Sequence, residues 1–120
     1  MNGVIATRVA WRRRSTPTHY VGTLLDVESG IRLVGREPTA GIELALSVPY
    51  DLIGGVRVSP ESTDEIVGEP AVVIDVSGAD ALLVRELGPT PRPAGELARR
   101  LQALVLRAGS AALEPRTATG

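Results

Sequence analysis

Three consecutive arginines, Arg12, Arg13 and Arg14, stand shortly before the only histidine of the chain, His19. Guanidiniums hold phosphate and carboxylate through forked pairs of hydrogen bonds, so this cluster has the chemistry of an anion site. The opposing reading is a solvated turn, because no further basic residue follows on the next segment and the net charge is −1. His19 would act as a general base or metal ligand only with a carboxylate or nucleophile aimed at it, and the spacing marks none. Asp26 and Glu28 flank a turn, Glu61, Asp64 and Glu65 share a polar stretch, and Asp75 and Asp80 bracket another turn. None of these forms a pairing that demands acid–base or metal chemistry. Gly54-Gly55 lacks the Lys, Ser and helix start of a phosphate-cradling loop. With no cysteine there is no disulfide, thiolate nucleophile or cysteine metal site. The residues point away from an enzyme: no catalytic residue, no metal and no cofactor is expected.

The elements that carry these residues are mostly strands. A chain of 120 residues makes one domain, and with no Phe its core must be built from Val, Leu, Ile and Ala. The clearest strand is Ile42 to Val48, where Ile42, Leu44, Leu46 and Val48 alternate with polar or small residues. Pro49 ends it, Tyr50-Asp51 makes a corner, and Gly54-Gly55 permits a bend or bulge before Val56-Arg57-Val58. Residues 4 to 12 form a first strand. Residues 19 to 27 form a second, with Val21, Thr23, Leu25 and Val27 expected on the buried face, Trp11 on the side of His19 and Val21, and Tyr20 opposite. Trp11 itself reads as core or rim packing. Glu28-Ser29-Gly30 reads as a three-residue hairpin loop with a positive φ at Gly30, pairing Val27 with Ile31 and Leu25 with Leu33.

Ser59 to Gly68, with Pro60 and its acidic residues, reads as a solvated loop. Residues 71–76 and 81–87 form another hairpin around Ser77 to Asp80, making seven strands. After the proline-rich loop 88–93 the apolar positions Leu97, Ala98, Leu101, Leu104, Val105 and Ala108 recur at helical spacing, with Glu96, Arg99, Arg100, Gln102 and Arg107 turned away. Gly109 is expected to stop the helix and residues 110–120 to form a disordered tail. Leu97, Leu101, Leu104 and Val105 should bury against Val48, Val56, Ile74 and Leu83 or their neighbours. No stretch reaches the length of an apolar membrane span and no signal-peptide core is evident, so a cytoplasmic location is expected.

Seven consecutive antiparallel strands followed by one amphipathic helix resemble the bacterial pleckstrin-homology-like (PH-like, GRAM-like) domain family. Gly22-Thr23-Leu24-Leu25 with Gly30-Ile31-Arg32-Leu33 resembles its second and third strands, residues 48–56 its fourth strand, corner and fifth strand, and Glu96 to Leu101 its capping helix. The resemblance covers roughly residues 4 to 108. It implies a mainly β fold with one α element, a bent seven-stranded antiparallel barrel capped by a C-terminal helix over residues 1–109. It further implies a non-catalytic binding or scaffolding module for a protein partner or a second copy of itself, while the net charge of −1 gives no expectation of a nucleic acid or membrane partner. PH-like domains bind peptides between the fifth strand and the C-terminal helix. That places Leu52, Val56, Val58, Arg99, Arg100 and Leu106 at the rim of a partner groove, with Leu106 off the main apolar stripe. Eukaryotic PH domains that bind inositol phosphates carry basic residues in the loop that Arg12 to Arg14 would occupy here. PilZ domains, which bind cyclic di-GMP, pair an Arg-rich segment with an Asp/Asn-x-Ser-x-x-Gly loop. Asp26-Val27-Glu28-Ser29-Gly30 approaches that order but misses its spacing, so an anion or cyclic di-GMP sensor using Arg12, Arg13, Arg14 and His19 stands as the alternative.

Overall fold

The computed structural model describes residues 6–61, 64–88 and 93–113. Its strands are β1 (Ala6–Arg13), β2 (Tyr20–Val27), β3 (Gly30–Arg36), β4 (Glu43–Pro49), β5 (Ile53–Val58), β6 (Glu65–Ile66), β7 (Glu69–Pro70), β8 (Val72–Val76) and β9 (Leu82–Glu86). One short 3-10 turn, Tyr50–Leu52, sits at the corner between β4 and β5, and one helix, α1 (Ala94–Leu113), follows the strands. Seven strands form an antiparallel sheet in the order β4-β3-β2-β1-β9-β8-β5, and β6 pairs with β7 as a separate hairpin. The sheet bends into a half-barrel, and α1 packs across it against β5, the 3-10 turn, β8 and β9. The expected first-strand residues Val4 and Ile5, the loop residues Pro89 to Arg92 and the tail 114–120 lie outside the described residues.

The concave face holds the main core. Val9 and Trp11 of β1, Leu24 of β2, Ile31 and Leu33 of β3, Val48 of β4, Val56 of β5, Val72 and Ile74 of β8, and Leu82 and Val84 of β9 meet Leu97, Ala98, Leu101 and Leu104 of the helix. Leu83, expected under the helix, has the opposite parity and belongs to the other face; Leu82 and Val84 take its place. On β2 the expected parity is reversed. Trp11 pairs directly with Tyr20, their rings stacked with centroids 4.9 Å apart, and Leu24 is the buried residue, whereas Val27 is exposed. The β-branched set Val21, Thr23, Val27 mimics a core face, but the true one, Tyr20, Gly22, Leu24 and Asp26, includes a glycine that the packing requires. A Cβ on Gly22 would lie 2.1 Å from the Val34 carbonyl oxygen, the same atom that accepts a hydrogen bond from the Trp11 indole N–H at 3.0 Å.

The hairpin after β2 is tighter than expected. Val27 pairs with Gly30, Asp26 with Ile31 and Leu24 with Leu33, leaving only Glu28-Ser29 in the turn. Gly30 does not have a positive φ. It is glycine because a Cβ there would meet the Val48 carbonyl oxygen at 2.2 Å. The bend at Gly54-Gly55 is a register shift in the β5–β8 ladder between Ile53 and Gly55. At the corner, Tyr50 is buried and its hydroxyl donates to Asp26 Oδ1. Burial first, and that carboxylate with it, push the Tyr50 pKa well above the ordinary phenol value.

The stretch 59–68 is not a solvated loop. Ser59, Asp64 and Ile66 are buried, and β6–β7 folds over the convex face of the sheet. Ile66 packs there with Ala10, Ala71, Val73 and Leu83 as a second, smaller core. The central strands β1, β8 and β9 are consequently covered on both sides, which is why Val9 to Trp11, Val72 to Ile74 and Leu82 to Val84 are buried without alternation. Two consecutive left-handed residues, Val67 with φ 52° and Gly68 with φ 76°, make the tight turn of this hairpin. The helix also departs from expectation by continuing past Gly109 to Leu113.

Candidate functional site

The basic loop is where the sequence placed its strongest chemistry. Along β1 the side chains alternate, so Arg12 and Arg14 turn to the convex face while Arg13 faces the concave side. Arg12 is buried, and its guanidinium donates to the carbonyl oxygens of Arg13, Arg14 and Thr16 at 3.2, 3.0 and 3.2 Å and to that of Glu65 at 3.2 Å. It ties the β1–β2 loop to the β6–β7 hairpin. Arg14 forms a forked pair with Asp64, Nε to Oδ1 at 2.8 Å and Nη2 to Oδ2 at 2.9 Å. The Ser59 hydroxyl donates to the same carboxylate at 2.6 Å. The Ser59 hydrogen bond first, and the Arg14 guanidinium with it, hold the fully buried Asp64 below the usual carboxylate range despite its desolvation. Asp64 in turn raises the Arg14 pKa.

Arg12, Arg14 and His19 do come together, with Ser15, Pro17, Glu65, Ile66 and Val67, around a pocket of about 370 Å³. Arg13 is not part of it. The donors of Arg12 and Arg14 are engaged by carbonyl and carboxylate oxygens, and Glu65 lies in the same wall, so the pocket is not a ring of free cations. Ser15 is tied to the next hairpin, its backbone N–H and its hydroxyl both donating to Asp80 Oδ2. These bonds keep the Asp80 pKa below the ordinary value. His19 makes no hydrogen bond or ion pair among the described residues. No group of three or more His, Cys, Asp or Glu among them is arranged to hold a metal ion. Sequence reasoning missed Asp64, Ser59 and Asp80 as partners of this loop. The one available signal was Ile66, an apolar residue inside an acidic stretch.

The expected partner groove is closed in its middle. Val56 is buried beneath α1 rather than on a rim, and Gln102, expected to turn away, donates from Nε2 to the Val56 carbonyl oxygen at 2.7 Å. Leu52 and Val58 are exposed on either side of it, Arg99 is exposed, Arg100 is half-buried, and Leu106 is 71% exposed. Arg13 instead stands at the open mouth of the half-barrel, beside a pocket of about 410 Å³ whose walls include Leu46, Val48, Leu52, Val76 and Leu82. The two edges of the sheet therefore differ. The β5 edge is covered by the helix, while β4 ends the sheet with nothing paired beyond it among the described residues.

No protein-family model, curated protein or solved structure matches the chain. No helix among the described residues is long and apolar enough to cross a membrane.

Proposed function

We propose that the chain is a non-catalytic binding module of PH-like architecture, working in the cytoplasm through contacts with protein rather than with a small anion. The strand order and the helix laid across the half-barrel support the PH-like reading. The observation that carries the function is the commitment of the polar groups. Arg12, Arg14, Ser15, Ser59, Asp64 and Asp80 satisfy one another or the backbone and hold the loops in place. Large apolar side chains are left exposed beside them, among them Ile42, Leu52, Val58 and Leu106.

The alternative is an anion or cyclic di-GMP sensor at the pocket of Arg12, Arg14 and His19. A thermal-shift panel of inorganic phosphate, inositol phosphates and cyclic di-GMP, at low and moderate salt, separates the two. A ligand at a hundredfold excess over its Kd stabilises the native state by about 2.7 kcal/mol, far above detection. No shift is expected. A salt-sensitive shift that disappears in His19→Ala would replace this reading with the sensor.

A further inference from the structure

We propose that β4 is the docking edge and that its occupant is β4 of a second copy, paired antiparallel about a two-fold axis at Ala45. This rests on the reading of the chain as a protein-binding module and names the partner.

The argument begins with which backbone groups point outward. In an antiparallel ladder the opposed residues alternate between pairs that exchange hydrogen bonds and pairs that do not. The Glu37 N–H donates to the Ile42 carbonyl at 2.8 Å and the Tyr50 N–H to the Ser29 carbonyl at 3.0 Å, one at each end of the β3–β4 ladder. Counting inward in steps of two from both ends gives the same bonded pairs: Gly35 with Leu44, Leu33 with Leu46 and Ile31 with Val48. Glu43, Ala45 and Ser47 lie between them, so their N–H and C=O groups face away from β3, along the open edge. Pro49, next in that series, has no N–H and closes the strip.

Three donors and three acceptors on alternate residues are self-complementary about the middle one. With the axis at Ala45, Ala45 opposes its own copy and Glu43 opposes Ser47 in both directions, so each of these six groups finds a partner and none is directed at Pro49. No like charges face each other, and the Ser47 hydroxyl is placed to donate to the Glu43 carboxylate across the pair. The side chains agree with the backbone. The same register sets Leu44 against Leu46 and Ile42 against Val48 on the concave side. Leu44 and Leu46 are only half-buried in the single chain, and Ile42 is 60% exposed although it continues their parity. Pairing extends the apolar face of one half-barrel into that of its copy. The edge also lacks the devices that keep strands apart: β4 carries no bulge and no basic residue, its single charge, Glu43, is already paired with Arg36, and its proline stands at the far end.

The absence of cysteine makes the register directly testable. Ala45→Cys introduces one thiol per chain, and opposed residues of an antiparallel pair lie within the Cα separation that a disulfide spans. Under mild oxidation Ala45→Cys should run as a cross-linked dimer at concentrations where Val67→Cys, exposed on the β6–β7 turn over the central strands, stays monomeric. Sedimentation velocity on the full chain should give twice the 12.6 kDa monomer mass. Ile42→Glu and Ala45→Pro should each weaken association at least tenfold, while Leu106→Glu leaves it unchanged. Ile42 is exposed, so Ile42→Glu reports on pairing even where Ala45→Pro perturbs the fold. A monomer at 100-fold dilution and at the highest soluble concentration alike, cross-linking no better at Ala45 than at Val67, or a dimer lost only with Leu106→Glu would overturn the proposal. The anion panel reads the function separately. A monomer with no anion shift overturns the β4 partner alone, and a monomer with a His19-dependent shift overturns the binding-module reading with it.

Discussion

Ile66 tests the part of the fold that most constrains the basic loop. It is buried at 1% exposure on a hairpin with only two residues in each strand, against Ala10, Ala71, Val73 and Leu83. Ile66→Ala removes three carbons, which at about 0.8 kcal/mol each is roughly 2.4 kcal/mol of lost transfer energy. A cavity contribution adds to this, and two of the neighbours are alanines that cannot swing inward to fill the space. Against that, a short hairpin can settle toward the sheet. The expected loss is about 2–4 kcal/mol. Urea denaturation measures it as a fall in midpoint at unchanged slope, with Val67→Ala, whose residue is 69% exposed, as the reference. A loss below about 0.5 kcal/mol, or one equal to that of the reference, would refute the claim that β6–β7 seals a second core.

Leu101→Ala should cost about 2–5 kcal/mol by the same measurement, because Leu101 is buried between α1 and the concave face. Val67→Asn should raise stability by about 1 kcal/mol, since a β-branched residue at φ 52° is strained where Asn is tolerated; an unchanged or lower midpoint counts against this. Asp64 has a folded pKa below its unfolded value, so its contribution is complete above about pH 4 and is lost as pH falls through the folded pKa. Acid denaturation should be less steep in Asp64→Asn than in the wild type. Tyr50 has a raised folded pKa, so its contribution is present below about pH 10 and lost as pH rises beyond it. Alkaline titration should destabilise the wild type more steeply than Tyr50→Phe.

How far the sequence could be read depended on whether each residue's neighbour was local. The alternation of Leu44, Leu46 and Val48 fixed the inward face of β4, and the helical stripe from Leu97 to Leu104 fixed the buried side of α1, because each is a pattern within one element. β2 was misread where two sets of residues both fit a strand face. Only the stacking of Tyr20 on Trp11, a contact between strands, decides between them. The stretch 59–68 looked solvated because its acidic residues are polar in composition, whereas Asp64 is buried with Ser59 and with Arg14, 50 positions away along the chain. The arginine cluster was legible as a group of residues but not as a site. Alternation along β1 divides it, and the partners of Arg12 and Arg14 arrive with the β6–β7 hairpin. Gln102 shows the same limit, since a polar side chain off the apolar stripe gives no sign that a strand edge lies within its reach.

The sheet is two meanders fastened along one ladder. Strands β1 to β4 pair each with the next in sequence, and β8 pairs with β9, but β1 meets β9 in pairs such as Trp11 with Val84 that span most of the chain. The first meander can form from neighbours while the second is still being synthesised. Closing the β1–β9 seam must wait for the last strand, and it carries the largest loop entropy in the fold. Until then Val9, Trp11 and the outward groups of β1 form a second open edge beside that of β4. A chain held at this stage would expose two strands able to recruit another copy, and in a nascent chain that interval lasts until Glu86 emerges.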